Sequence, residues 1–407
     1  MNDGTQNIKQ VFEEIASKYL DSDEKNKITL ELASGISDET KLSASAVDNL
    51  NQSHQEITHY VNLRRIQIET LITQTVSKLS AAKYLDLFLN LGYAAYNLGE
   101  VNLAVELFES VIKHSKKDTK FIDFESSAYF RLGSIYQRQA YWSKSLNNLK
   151  KARAIYSKQK YMIGVAKCEN IIGTIFGDKG NIVKARKHFE KGLTLLNHKK
   201  DKYVTAAIEV NLGNVYIVEE EYDKAITYLY RALSVFEQLS DLKTVSITRC
   251  NLATLFKHKN EFDAALLELD SSLTASQKAE FIPIVAIVYL TKAAIYNELE
   301  DYPLAIAFSD KAMEIAYKIN DRISVAEIYK GKGVIQRKLK NYQLAQNYLQ
   351  TSLRLNMNLE NELNASDTAY ELGLLYIDWK KSDYAKKYLK DSLAYKEKLG
   401  AKGEIIK

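Results

Sequence analysis

The sequence predicts an all-α solenoid of eight helix–turn–helix repeats, and two phased series of small residues carry this prediction. After a first step of 41 residues, one series returns every 40 positions: Gly92, Gly133, Gly173, Gly213, Ala253, Ala293, Gly333 and Gly373. A second series follows twelve residues behind it: Ala104, Ser145, Ala185, Ala225, Ala265, Ala305, Ala345 and Ala385. Self-similarity at a fixed period indicates one supersecondary unit copied along the chain, with each copy packed only on its neighbours.

Composition supports the same fold class. Apolar residues make up 46% of the 407 residues and charged residues 26%, which is a globular rather than a disordered balance. The chain has only two prolines, as an almost wholly helical protein requires. Pro283 is expected to open the first helix of the sixth unit, and Pro303, after Asp301, the second helix of that unit.

Residues 203–242 illustrate the repeating unit. Apolar residues at helical spacing predict a first helix, A, over residues 204–218, followed by a polar break at residues 219–221. Asp223 is the expected N-cap of the second helix, B. The predicted buried stripe of helix B is Ala225, Ile226, Leu229, Ala232, Leu233 and Phe236.

Each small residue is expected to mark a close helix contact. Gly213 and Ala225 are predicted to lie where helices A and B touch, because a larger side chain there would push the axes apart. Aromatic rings three and nine residues after the first small residue are expected to fill the space beside it. The predicted anchors of helix B are large aliphatic residues at the twentieth position: Leu193, Leu233, Leu273, Met313, Leu353 and Leu393.

This pattern resembles the tetratricopeptide repeat. The best match reads Asn211-Leu212-Gly213-Asn214-Val215-Tyr216, followed by Tyr222-Asp223-Lys224-Ala225. The resemblance covers residues 82–398, divided at about 82–121, 122–162, 163–202, 203–242, 243–282, 283–322, 323–362 and 363–398. The commonest form has a shorter period, so the unit is more similar to the longer class of kinesin light chains and Rap-type bacterial regulators. The resemblance implies a right-handed superhelix in which helix A of each unit lines the concave wall.

The two ends of the chain lie outside the repeat. Residues 1–80 are predicted to be a helical region, with amphipathic stretches at 8–20, 28–36 and 61–79. This region is either a cap on the first repeat or a segment for partner binding or dimerisation. Residues 399–407 form a tail. The last unit is expected to expose a polar face, to precede an output domain in a longer chain, or to pack on another subunit.

Signals for catalysis are scarce, and we expect a protein that is not an enzyme and holds no cofactor or metal. His54 and His59 are wrongly spaced for one helical face. The glycines around Lys332 lie within a predicted helix A, whereas a phosphate-binding loop follows a strand. A net charge of +5 with mixed signs argues against nucleic acid as a partner.

The expected compartment is the cytoplasm. The first residues show no signal peptide, and no apolar run reaches membrane-spanning length. Cys168 and Cys250 lie in equivalent helices and are expected to be buried free thiols, which suits a reducing compartment.

The concave wall is the expected binding site. Carboxamides donate and accept hydrogen bonds, so asparagines on this wall can pair with the backbone of a peptide, and flanking Arg and Lys favour acidic groups. The predicted peptide- or partner-binding residues are Asn90, Arg131, Arg138, Lys167, Asn170, Asn211, Asn214, Asn251 and Lys257. The clamp by which some relatives of this family hold a terminal carboxylate is incomplete, since Val210, Ile287 and Thr291 occupy its charged positions.

The sequence therefore predicts a scaffold for protein–protein interaction that binds a peptide or partner helix in a groove. The alternative is a regulatory or sensor region of a bacterial signal-transduction protein, which couples ligand or partner binding to an output domain or partner.

Overall fold

The structure is a computed structural model that describes Ile68, Ile72, Thr73 and residues 79–279 and 281–399. The predicted N-terminal stretches at 8–20 and 28–36, the pair His54 and His59, and residues 400–407 lie outside these residues. The chain forms two compact units, residues 1–128 and 129–407, and the boundary falls within one helix.

The described residues form sixteen α-helices in tandem pairs, as the sequence predicted. They are α1 (Ala81–Asn97), α2 (Val101–Ser115), α3 (Ile122–Arg138), α4 (Trp142–Lys158), α5 (Met162–Asp178), α6 (Ile182–Thr194), α7 (Lys202–Val218), α8 (Tyr222–Gln238), α9 (Leu242–His258), α10 (Phe262–Lys278), α11 (Val285–Glu298), α12 (Tyr302–Lys318), α13 (Arg322–Lys338), α14 (Tyr342–Asn358), α15 (Glu362–Asp378) and α16 (Ser382–Leu399). Two short 3₁₀ helices, Thr119–Phe121 and Ile282–Ile284, precede α3 and α11.

Helix termini follow from local chemistry. Asp301 caps α12 by accepting a hydrogen bond from the backbone N–H of Leu304, with Pro303 in the first turn. The expected cap of α8 is wrong: Glu221 occupies the N-cap position, and Asp223 lies in the first turn instead. An acidic residue in that turn is still favourable, because it faces the positive end of the helix dipole.

Nearly every turn places one residue in the left-handed region. Between paired helices these are Gly99, Ala140, Gly180, Glu220, Asn260, Glu300, Lys340 and Lys380. Gly180 shows the closing pattern, in which its N–H donates to the carbonyl of Gly177 while the N–H of Asn181 reaches back to Phe176. Each helix therefore ends with its last carbonyls satisfied.

The recurring small residue accommodates a large side chain from the partner helix. A Cβ built at Gly213 would lie 2.9 Å from Cγ of Leu229, sixteen residues later, and the nearest atom of Ala225 would be a backbone oxygen at 3.6 Å. The close contact therefore joins Gly213 to Leu229 rather than to the Ala225 side chain. The same spacing joins Gly92 to Phe108 in the first compact unit and Gly333 to Leu349 in the second compact unit.

The aromatic rings are packing groups, but the predicted anchors of helix B are only partly correct. Tyr216 packs with Tyr228 at 5.3 Å between ring centroids, and Tyr296 stacks on Phe308 at 5.5 Å. Among the predicted anchors only Leu233 is fully buried, and Leu393 is exposed. The position sixteen residues after the small residue is the deeper one, because it faces the partner helix directly: Leu149, Leu229, Leu269 and Leu349 are inaccessible to solvent.

Within the second unit, the odd-numbered helices form a continuous layer, which we call the A layer. Each of α5, α7, α9, α11 and α13 contacts the next odd-numbered helix as well as its own partner. The Gln137 side chain joins α3 to this layer by a hydrogen bond to Asp178. The even-numbered helices pack on the A layer, which is therefore built by stacking repeats of one geometry.

Candidate functional site

Polar side chains link neighbouring helices of the A layer at a constant sequence separation. The Asn211 amide donates to Oδ1 of Asn170 over 2.8 Å, and these residues are 41 positions apart. The same separation joins Gln137 to Asp178 and Arg337 to Asp378. Each bridge therefore joins two neighbouring odd-numbered helices, and we call the side of the A layer that carries these bridges its polar face.

Four of the predicted asparagines lie on helices α5, α7 and α9 of the A layer. Asn170, Asn211, Asn214 and Asn251 are all half-buried, and Asn211 and Asn251 hold equivalent positions on α7 and α9. The structure directly joins Asn170 and Asn211. Asn90 belongs to the first unit, where its amide donates to the backbone carbonyl of Asp86 within α1.

Basic groups lie beside the asparagines. Burial lowers the pKa of the half-buried Lys167, and the nearby positive charge of Arg131 lowers it further. Burial likewise lowers the pKa of Lys257, with an added effect from Lys330. A neighbouring anion would relieve the like-charge pair of Lys167 and Arg131, so this part of the A layer favours a negatively charged group, whereas Glu327 and Glu298 already raise the pKa of Lys257 in part.

The His258 ring follows the same trend. The ring is exposed to solvent, yet surrounding protein atoms desolvate it and Lys257 adds a positive charge. Together these effects lower the pKa of His258 to about 4. The ring is therefore neutral near pH 7 and offers a hydrogen bond without a charge.

The later helices of the A layer carry compensated charges. Lys330 forms an ion pair with Glu327 at 2.7 Å, and Arg337 contacts both Glu371 at 3.1 Å and Asp378 at 2.9 Å. Burial opposes the charged form of Lys330, but Glu327 and Asp367 raise its pKa overall. Burial raises the pKa of Glu371. The A layer is thus basic on α3–α9 and internally paired on α13–α15.

Arg138 holds a role that the sequence did not predict. Its guanidinium donates to the backbone carbonyl of Pro283 over 2.8 Å and lies 3.3 Å from a carboxylate oxygen of Asp321. These partners are 145 and 183 positions away in sequence. The predicted role of Arg138 in peptide binding therefore competes with an existing internal contact.

Arg138 belongs to a larger contact between distant helix pairs. The Trp142 indole N–H donates to the carbonyl of Leu359 over 2.5 Å, and Lys179 pairs with Glu360 at 2.5 Å. The Arg322 guanidinium lies over the Tyr141 ring at 4.9 Å. We call this the turn-to-turn contact: turns within the pairs α3/α4 and α5/α6 meet the turns that lead into α11, α13 and α15.

The turn-to-turn contact includes a cleft and a half-buried carboxylate. The cleft has a volume of ≈ 440 Å³, and Phe176, Lys184, Met357 and Tyr395 are among its lining residues. Burial is the largest effect on the Asp178 carboxyl and raises its pKa to about 7. The nearby Asp321 also raises this pKa, whereas Gln137 and Arg138 lower it. The sequence predicted a groove but no contact between distant pairs. At the position of Trp142, four other repeats carry Tyr or Phe and three carry Val101, Ile182 and Ser382, so the tryptophan gave only a weak signal of this contact.

The described residues show neither a cluster of three or more potential metal ligands nor a helix long and apolar enough to cross a membrane. Cys168 and Cys250 are free and buried, and burial raises the pKa of each thiol to about 12. Both thiols are therefore protonated at neutral pH and are packing groups rather than nucleophiles.

Residues 204–278 and 284–358 match the profile described as tetratricopeptide repeat. No curated protein sequence matches the chain.

Among solved structures, the chain is similar to the APC/C hetero-tetramer Cut9-Hcn1, with a TM-score of 0.57 and 16% identity over 82% of this chain and 57% of that one. It is also similar to NprR in complex with its cognate peptide NprX, with a TM-score of 0.54 and 17% identity over 77% of this chain and 89% of that one. At these identities the similarity shows the fold alone. A Rap protein complexed with Competence and Sporulation Factor matches at a TM-score of 0.39 and 16% identity, over 96% of this chain and 99% of that one. That score is too low to bear on the fold.

Proposed function

We propose that this chain is a protein-interaction module, since residues 204–278 and 284–358 match the tetratricopeptide repeat profile. The polar face of the A layer binds an extended peptide or a partner helix. The observation that carries the proposal is the half-buried asparagine set, with Asn170 and Asn211 already hydrogen-bonded to each other.

The chemistry of the A layer favours a peptide as the ligand. A carboxamide can donate to a peptide carbonyl and accept from a peptide N–H, so Asn211, Asn214 and Asn251 can pair with a backbone of any sequence. A solved structure with the same fold, NprR, was determined with a bound peptide, which is consistent with this use of the fold.

Charge adds selectivity for an acidic segment. Lys167 and Lys257 each lie next to a second positive group, and burial partly desolvates both. An Asp or Glu side chain, or a terminal carboxylate, would offset this repulsion in a partly desolvated setting, where ion pairs are stronger than in water.

The proposal is tested by selecting peptides from a displayed random library on the full chain and titrating the best binder by calorimetry. Asn211→Ala combined with Asn251→Ala should weaken binding about tenfold or more, because each lost hydrogen bond is worth about 1 kcal/mol. Asn147→Ala is the matched control, since Asn147 is exposed on α4, outside the A layer. Equal affinity of the double variant and the control would reject this site.

A sensor role is the second candidate, and the turn-to-turn contact favours it. A ligand on the A layer would alter the spacing of the helices and thereby the contact that Arg138 and Trp142 make with distant turns. Small-angle scattering should then show a change in the radius of gyration when the selected peptide is added. An unchanged scattering profile at saturating peptide would instead support a static scaffold. The two buried, protonated thiols suit a reducing compartment, so we propose a cytoplasmic location.

A further inference from the structure

The repeat offers an internal comparison of the same position when it is covered and when it is not. Leu239 and Leu359 follow the last residues of α8 and α14 and are 120 positions apart. Leu359 is 2% exposed, and its carbonyl accepts from Trp142 in the turn-to-turn contact. Leu239 is 54% exposed. The same residue type in the same local conformation is thus buried in one repeat and exposed in another. The difference is that a distant helix pair covers Leu359.

The turns inside the helix pairs show the reverse: a polar residue is buried where apolar residues are exposed. Gln139, which follows α3, is polar yet only 4% exposed. Its equivalents after α11 and α13 are Leu299, at 48% exposed, and Leu339, at 38%. A buried glutamine and two exposed leucines at one repeat position are the reverse of ordinary hydrophobic partition. The leucines therefore occupy a position that is suited to burial but lacks a cover.

These positions continue along two edges of the second unit. We define the leading edge as the exposed apolar residues at the turns inside the last three pairs: Leu299, Leu304, Leu339, Leu344, Ile377 and Tyr384. We define the trailing edge as the exposed apolar residues where α4 leads to α5 and α8 leads to α9: Tyr161, Met162, Leu239 and Leu242. The turn-to-turn contact already joins an edge of each kind inside one chain.

We propose that the leading edge of one molecule binds the trailing edge of a second copy of this chain. The contact repeats between molecules the contact that Trp142, Lys179 and Arg138 make within one. The two edges differ, so the interface is heterologous, and association is open-ended rather than closed by a two-fold axis. Burying ten exposed apolar side chains drives it.

Sedimentation velocity of the full chain over a concentration series tests this proposal. The weight-average mass should rise with concentration above the 46.3 kDa of one chain. A leading-edge variant, Leu304→Glu with Leu344→Glu, and a trailing-edge variant, Leu239→Glu with Leu242→Glu, should each stay monomeric when alone. Each change places a charge where an apolar side chain would be buried, which raises the concentration for half-association at least about tenfold.

Mixing the two variants distinguishes this interface from other modes of association. Each variant keeps one intact edge, so an equimolar mixture should form heterodimers and stop there. Leu267→Glu is the control: Leu267 is exposed in the middle of α10, away from both edges, and this variant should associate like the unchanged chain. Circular dichroism confirms that all variants are folded.

Three results would overturn the proposal. The first is a weight-average mass that stays at the value for one chain at every concentration. In that case the edges are either covered by residues 1–80 or left exposed to solvent. The second is a mixture that fails to associate although the unchanged chain does. The third is association that the edge variants leave intact.

Discussion

Two glycines on one helix give the sharpest test of the repeat packing. Gly331 and Gly333 both lie within α13, two residues apart. A Cβ added at Gly333 would lie 2.5 Å from Cγ of Leu349 and 3.2 Å from its backbone nitrogen. A Cβ at Gly331 would meet nothing within 4 Å. Changing each to alanine alters the intrinsic helix preference equally but the packing in only one case.

The expected free energies differ in sign. Alanine in place of a helical glycine stabilises by about 0.5–1 kcal/mol, so Gly331→Ala should raise stability by that amount. Gly333→Ala gains the same preference, but it overpacks the contact with Leu349, which costs about 1–3 kcal/mol. The net effect at Gly333 should be a loss of up to about 2.5 kcal/mol.

Chemical denaturation followed by circular dichroism measures both changes, with the unchanged chain as reference. The Leu349→Ala substitution completes a double-variant cycle, because removing the leucine should reduce the penalty of Gly333→Ala. If Gly333→Ala stabilises as much as Gly331→Ala does, the close contact between α13 and α14 is not present and the packing described above is wrong.

Three further predictions concern buried charge and turn geometry. Since the pKa of Asp178 is raised from 3.8 to about 7, its protonated form favours folding, and that stability is lost as pH rises through this range. Asp178→Asn should therefore stabilise the protein at pH 8, by at most about 4 kcal/mol, and flatten thermal stability against pH; an unchanged slope would contradict the assignment. Glu169 is inaccessible to solvent, and burial alone would raise its pKa. Lys191, His188 and Arg153 nevertheless hold this pKa below its usual value. The stabilisation of the fold by ionised Glu169 is therefore lost as pH falls below that value. Glu169→Ala should cost about 1–3 kcal/mol, because its partners Arg153, His188 and Lys191 reach solvent and are not left as buried unpaired charges; a variant that melts with the unchanged chain would refute this. Glu220 has a left-handed backbone, so Glu220→Gly should raise the melting temperature, corresponding to about 1 kcal/mol, whereas Gly180→Ala should lower it.

Local periodicity predicted the helices well because each one depends on nearby residues. The predicted helix over residues 204–218 begins at Lys202 and ends at the predicted residue. The cap of α8 was misplaced by two positions, since Glu221 lacks the short side chain that makes a cap recognisable in a sequence. The recurrence of Gly213 indicated a close contact, but its partner Leu229 is identified only when both helices are placed.

The turn-to-turn contact was beyond sequence reasoning for a physical reason. Which pairs meet depends on the small rotation between successive pairs, added over several repeats, and the period of the small residues does not encode that rotation. Arg138 was thus predicted to face a ligand, whereas it binds Pro283 and Asp321. Asn170 and Asn211, both predicted to lie on the concave wall, are joined by a hydrogen bond that depends only on adjacent pairs, and their role in binding stays a prediction.

Photo-crosslinking tests most directly the claim that the polar face of the A layer holds the ligand. A selected acidic peptide that carries a photoreactive residue is irradiated with the full chain, and mass spectrometry locates the adducts. We predict adducts on α5, α7 and α9, near Asn170, Asn211 and Asn251, that unlabelled peptide competes away. Adducts confined to even-numbered helices such as α8 and α10 would contradict the account.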